Sequence, residues 1–177
     1  TGADALTGGT GTDDFLYTAI TDGSADMSGG DINVNTADDI GTFTSATDNI
    51  QFDTSAFGTL EASGVVDVLA DNEALDFDAA GIFVLHTDDD LAADDFGDVS
   101  TVFDVINTTN TGGMSNAAAG DDVILVIGNN AGTEAGIYYM IEDGTVATTL
   151  DANDTLYLLG VVDADVSGLV AGDFVVF

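Results

Sequence analysis

The chain has 177 residues, of which 33 are Asp or Glu and none is Lys or Arg, so a formal charge of −33 accompanies a hydrophobic content of 45%. That apolar fraction supports a real core and excludes a disordered chain. The missing cations exclude nucleic acid as a partner, because phosphate is bound by displacing counterions with Lys or Arg, and they disfavour anionic membrane surfaces for the same reason.

With no basic side chain other than one His, the carboxylates must be solvated, hydrogen-bonded or bound to cations. Self-repulsion of this size opposes compaction, and divalent cations or high salt relieve it. General adaptation to brine would also explain an acidic chain, but it would not phase glycines and Asp along the sequence. There are no cysteines, so disulfides and thiolate metal sites are excluded. The first residues do not read as the n-region and h-region of a Sec signal, and no apolar run approaches the roughly 18 residues of a membrane span.

In chain order, the first feature is Gly8-Gly9-Thr10-Gly11-Thr12-Asp13-Asp14-Phe15-Leu16. It fits the nonapeptide G-G-x-G-x-D-x-U-x, with U a large apolar residue, which marks calcium-binding parallel β-repeats. Gly2, Asp4 and Leu6 recur nine positions later as Gly11, Asp13 and Phe15, so two copies are in phase. The spacing has a chemical reason. Glycines reach φ > 0 cheaply and aim several carbonyls at one point, the Asp adds a hard anionic oxygen, and calcium is held by such oxygens. The apolar residue starts a short strand that points into the core. The competing reading is a glycine-rich acidic turn that binds nothing.

These residues resemble the C-terminal region of RTX, or haemolysin-type calcium-binding, proteins exported by type I secretion, as in serralysin-like proteases, adhesins and bacterial surface-layer proteins. The resemblance implies a short calcium-binding parallel β-roll in which one ion lies between copies about 18 residues apart. Asp13 then needs a partner loop further on, and Asp22, 18 residues after Asp4, is the expected candidate, with Asp26 and Asp31 nearby. It also aligns Ala37 to Phe52 with the family's post-repeat signature: Asp38, Ile40, Phe43, Asp48, Ile50 and Phe52 match, while Thr42 and Asn49 depart from it. The expected metal residues are therefore Asp4, Gly8, Gly9, Thr10, Gly11, Asp13, Asp22, Asp26, Asp31, Asp38 and Asp48, and the ion is Ca2+. A plain hairpin with inward Ile and Phe is the simpler reading of residues 37–52.

Further on, residues 65–69, 80–86 and 99–103 read as strands, rich in Val, Ile and Phe and bounded by Gly, Asn and Asp. Residues 90–96 read as one or two helical turns capped by Asp, and over 101–106 period alone does not separate helix from strand. Residues 108–119 have loop composition. Three strands follow at 122–128, 136–142 and 155–161, with Asn129-Asn130 and Glu142-Asp143-Gly144 as turn chemistry, giving a β-meander. The last residues, Asp173-Phe174-Val175-Val176-Phe177, are similar to the acid-plus-apolar ending of type I secretion substrates.

No catalytic constellation stands out. His86 is the single histidine, no G-x-S-x-G elbow is present, and Asp88-Asp89-Asp90 reads as a solvated acidic loop. Paired acids of the glycosidase kind are expected by chance in so acidic a chain. The expectation is thus a mainly β protein and no enzyme. Residues 1–57 form a β-roll remnant with its closing segment, and residues 58–177 a β-sandwich or meander with few short helices; one continuous domain is the alternative. The expected role is a secreted, calcium-folded structural protein that self-associates into a surface layer, filament or matrix outside the cell or at its surface. The alternative is the folding and secretion tail of a larger exoenzyme, toxin or adhesin.

Overall fold

The computed structural model describes residues 2–22, 25–58, 60, 64–69, 73–85, 91–92, 95–109, 113–144 and 149–177. In chain order its strands are β1 (Ala5–Thr7), β2 (Asp14–Tyr17), β3 (Ala25–Asp26), β4 (Asp38–Gly41), β5 (Asn49–Phe52), β6 (Val66–Leu69), β7 (Leu75–Asp76) and β8 (Ile82–Leu85). One short helix, α1 (Val99–Asp104), precedes β9 (Met114–Ser115), β10 (Asp122–Gly128), β11 (Ala135–Ile141), β12 (Thr155–Val162) and β13 (Phe174–Val176). The protein is mainly β, as its sequence leads one to expect.

The centre is built where the sequence is apolar at consecutive positions. β8, β10 and most of β11 are buried on both faces, which is how continuous Val, Ile and Leu runs come to lie in the middle of a covered sheet. The large mixed sheet runs β1-β4-β12-β11-β10-β8-β6, with β3 also paired to β12. β10, β11 and β12 are consecutive antiparallel neighbours, so the meander forms as read. On one face Phe83, Leu85, Leu125, Ile127, Tyr138 and Met140 pack against α1 and the small β7-β9 sheet. On the other, Ile82, Val84, Ile124, Val126, Ile137 and Tyr139 pack against a second, three-stranded sheet, β13-β5-β2.

Three segments coil between the two larger sheets, each contributing one strand to either sheet. The first is β1, a turn, then β2; the second is β4, a turn, then β5; the third is the end of β12, a turn, then β13. The segments pair with one another in parallel: β1 with β4 and β4 with β12 in one sheet, β2 with β5 and β5 with β13 in the other. Phe15, Ile50 and Phe174 are opposite one another and point inward, while Leu16, Gln51 and Val175 face out. The aromatic run Tyr17, Phe52, Phe57, Tyr139 joins this coil to the central sheet, with centroid separations of 5.8, 5.6 and 5.2 Å.

Several expectations change. Residues 37–52 are not a hairpin, because β4 and β5 lie in different sheets and never pair. β12 and β13 complete the two stacks begun by residues 5–52. Residues 99–103 are helical. Asp98 caps α1, accepting from the Thr101 N–H at 3.0 Å and the Ser100 hydroxyl at 2.7 Å, and Val102, Val105 and Ile106, at helical spacing, enter the core. The helix runs on through a π-helical stretch, Val105–Thr109. The expected helical turn over 90–96 lies partly outside the described residues; Leu91 makes a parallel bridge to Asn129, and Asp95 N–H donates to Ala92 O. The loop at 108–119 contains β9. His86 and Asp88 to Asp90 lie outside the described residues.

Gly160, in β12 of the large sheet, packs closely against Tyr17 of β2 in the three-stranded sheet. A Cβ there would lie 2.6 Å from the Tyr17 hydroxyl oxygen and 3.1 Å from the Asp38 carbonyl oxygen. Gly160→Ala is therefore expected to cost about 1–3 kcal/mol through overpacking, read as a lower urea midpoint at unchanged slope. An unaltered midpoint would mean that the two sheets separate freely at this point.

Candidate metal centre

The turn of each coil segment is closed by an acid immediately before its second strand. Asp13 Oδ2 accepts from its own turn at Gly9 N–H, 2.7 Å. Asp48 accepts from Thr44 N–H at 2.8 Å and also reaches the neighbouring segment, taking Asp13 N–H at 3.0 Å. Asp173 does the same on the next level, accepting from Val170 N–H at 2.8 Å within its turn and from Ala46 N–H and Ser45 Oγ, at 2.6 and 2.7 Å, across it. Asp48 and Asp173 are buried. The acids thus form a ladder in which carboxylates replace backbone partners that the turns lack.

The structural neighbour of Asp13 is Asp48, 35 residues on, not an acid about 18 residues away. The second turn is similar to the first. Thr47-Asp48 matches Thr12-Asp13, and Ala46, at φ 60°, stands where the first turn has Gly11 at φ 121°. Gly8 is half-buried beside Asp13, whereas Gly9, Thr10 and Gly11 are exposed.

A second group gathers at the opposite end of β1 and β4. Asp38 is buried, accepts Asp4 N–H at 2.9 Å, and has its carboxyl raised by burial, with Asp4 and Asp22 adding like charge. Asp4, Asp38, Asp39, Glu134 and Asp163 line a cavity of about 350 Å³. Asp22 itself is held by the Thr18 hydroxyl and N–H at 2.8 and 3.0 Å, which lower its carboxyl. The Tyr17 hydroxyl is buried without a hydrogen-bond partner, and burial together with Asp38 and Asp22 raises it far above the ordinary phenol range. Asp26 and Asp31 stand apart. Asp26 caps Ser28 N–H at 2.8 Å, and Asp31 accepts from Val99 N–H at 3.2 Å. The expected metal residues therefore divide into a turn group (Gly8 to Gly11, Asp13, Asp48), a strand-start group (Asp4, Asp22, Asp38) and two local caps.

Among the described residues, the acids that bring three potential ligand oxygens within 4.8 Å of one another are Glu142, Asp143 and Asp154. They sit where β11 ends and β12 begins. Ile141 is opposite Thr155, so antiparallel pairing sets Glu142 and Asp154 across from each other. Asp154 is clamped by Asp143 N–H on Oδ1 at 2.9 Å and Asp151 N–H on Oδ2 at 2.7 Å. Glu142 Oε1 accepts from Gly144 N–H at 3.0 Å, but Oε2 is buried with no hydrogen-bond partner. Only 1% of Glu142 is exposed. Burial, with the charges of Asp154, Asp143 and Asp151 around it, pushes its carboxyl up to about 7.

This cluster was missed in the sequence because Glu142-Asp143-Gly144 reads as turn chemistry and nothing more. The usable signal was the pair of acidic turns, Glu142-Asp143 and Asp151-Ala152-Asn153-Asp154, placed at the same end of two neighbouring meander strands.

Comparison with known protein families, curated proteins and solved structures finds no match. No helix among the described residues is long and apolar enough to cross a membrane.

Proposed function

We propose that the protein is a secreted, calcium-stabilised structural subunit that self-associates into a layer, filament or matrix at or outside the cell surface, with no catalytic role. The observation that carries this reading is the ladder of turn acids, Asp13, Asp48 and Asp173, stacked in a parallel two-sheet coil within a chain that has no Lys or Arg. The coil is then a worn β-roll of the RTX kind, and calcium enters at the exposed Gly9 to Gly11 turn, between the carbonyls and the acids of adjacent levels. Extracellular calcium modules bind in the range of roughly 10⁻⁴ to 10⁻³ M. At the far lower concentrations inside a cell the acids stay uncompensated and repel one another, so the chain stays open for export through a type I apparatus, addressed by residues 173–177. Outside, the ion supplies the positive charge that side chains do not.

Self-association follows from what the outer surface offers. Leu16, Val175 and Phe177 are at least one-third exposed, and the first two lie on the outer face of the three-stranded sheet. The edge strands β1, β2 and β13 contain neither Pro nor Lys, two common guards against edge pairing; charge alone keeps copies apart. Screening or bridging that charge allows strand addition between copies.

The test is a calcium titration of the full chain from EGTA to several millimolar, read by circular dichroism and by light scattering on a sizing column. Calcium should raise β content and mass together, EGTA should reverse both, and magnesium should be much weaker. Assemblies and spectra indifferent to chelation would overturn the reading.

A further inference from the structure

We propose that Glu142, Asp143 and Asp154 form a second, independent calcium site that ties the end of β11 to the start of β12. The donor set is all carboxylate oxygen, which selects a hard cation. Two oxygens bound to one calcium at its usual distances lie at most about 4.6–5.2 Å apart, whereas magnesium draws them within about 4.2 Å. The three candidate oxygens all lie within 4.8 Å of one another, inside the calcium limit.

The orphaned oxygen separates this cluster from an ordinary acidic turn. A buried carboxylate oxygen with no donor is costly, and Glu142 Oε2 is such an atom, in a residue that is 1% exposed. The four carboxylate oxygens of Glu142 and Asp154 receive backbone donors at Glu142 Oε1 and at both Asp154 atoms. Those contacts hold the two side chains in place while leaving Glu142 Oε2 and the remaining lone pairs for an ion. No Lys or Arg exists to fill the gap. Asp143 is exposed and provides the way in from solvent.

The position gives the site a purpose. Glu142 N–H donates to Asp121 O and Gly120 N–H to Glu142 O, both at 2.8–2.9 Å, so the backbone of Glu142 extends the β10-β11 ladder. Asp154 leads directly into β12. An ion held by both residues ties the three central strands together at one end, far along the sequence from the glycine turns.

The choice of ion rests on the calcium reading above; the residues do not. Calorimetric titration with Ca2+ and with Mg2+ separates the two claims, using the full chain, Glu142→Gln, Asp154→Asn and the coil variant Asp13→Asn. Glu142→Gln keeps the shape and the acceptor for Gly144, so it folds in EGTA. It should lose one calcium equivalent, or weaken it roughly 100-fold or more, because affinity follows ligand charge count, and should lose part of the calcium-induced rise in Tm. Asp154→Asn should weaken the same equivalent, while Asp13→Asn leaves it intact. Glu142→Gln and Asp154→Asn that bind the same number of calcium ions with wild-type affinity would overturn this site, whatever happens at the coil. If instead Asp13→Asn changes nothing and chelation leaves assembly untouched while Glu142→Gln still loses its ion, the coil reading fails and this site stands.

Discussion

Asp173→Ala should lower the stability of the folded chain by about 3–5 kcal/mol. The carboxylate is fully buried and accepts from Ala46 N–H, Val170 N–H and Ser45 Oγ at 2.6–2.8 Å. Alanine leaves two backbone donors with no partner, at about 1–3 kcal/mol each, and opens a void beside Phe174. An opposing effect exists, since each acid removed from a chain of charge −33 relieves repulsion. That relief is spread over long, solvent-screened distances and is worth a few tenths of a kcal/mol at physiological salt, so the lost hydrogen bonds win. The exposed Asp39 and Asp163 provide the control: Asp39→Asn and Asp163→Asn should be neutral or slightly stabilising. Urea unfolding of all three variants checks the claim. A loss at Asp173 below about 1 kcal/mol would mean that the ladder is decoration on a coil held by its apolar residues alone.

In calcium-free solution the protein should become more stable as the pH falls from about 7 towards about 5, against the usual direction of acid denaturation. The carboxyls of Glu142, Asp38 and Asp122 are raised, in each case chiefly by burial. A raised acid binds its proton more tightly folded than unfolded. Its contribution is complete below the unfolded value, 4.5 for Glu, and is lost as the pH rises through the folded value, about 7 for Glu142. After allowance for solvent screening, Glu142 alone accounts for about 1–2 kcal/mol, and relief of the net charge adds to it. Below about 4 the trend reverses, because Asp22 and Asp98 are lowered by Thr18 and Thr101; their contribution is present above the unfolded value and lost as the pH drops through the folded one. Melting in EGTA across this range should show the maximum at mildly acidic pH. Saturating calcium should flatten the acid-side gain, since protonating Glu142 then expels an ion. A melting point that falls steadily from pH 7 downward would contradict the assignment of buried, uncompensated acids.

What the residues alone determine about this protein is local. Val, Ile and Leu runs dictate the buried central strands, Asp and Gly mark the turns, and the lack of Lys and Arg dictates that every acid must find a hydrogen-bond donor, water or a metal. The meander is readable because its strands follow one another in sequence. Asp98 before Val99 was a helix signal that the β-branched residues around it obscured.

Only the tertiary structure decided which distant segments share a level of the coil. Asp13 meets Asp48, and Asp173 meets Ser45 and Ala46, because β2, β5 and β13 lie side by side, and pairing between parallel strands separated by long, irregular connections leaves almost no trace in local periodicity. The same holds for the cluster at Glu142 and Asp154. Each acid is an unremarkable turn residue until the β11-β12 register sets them face to face, and no turn residue in isolation can disclose that one of its oxygens is shut away from water.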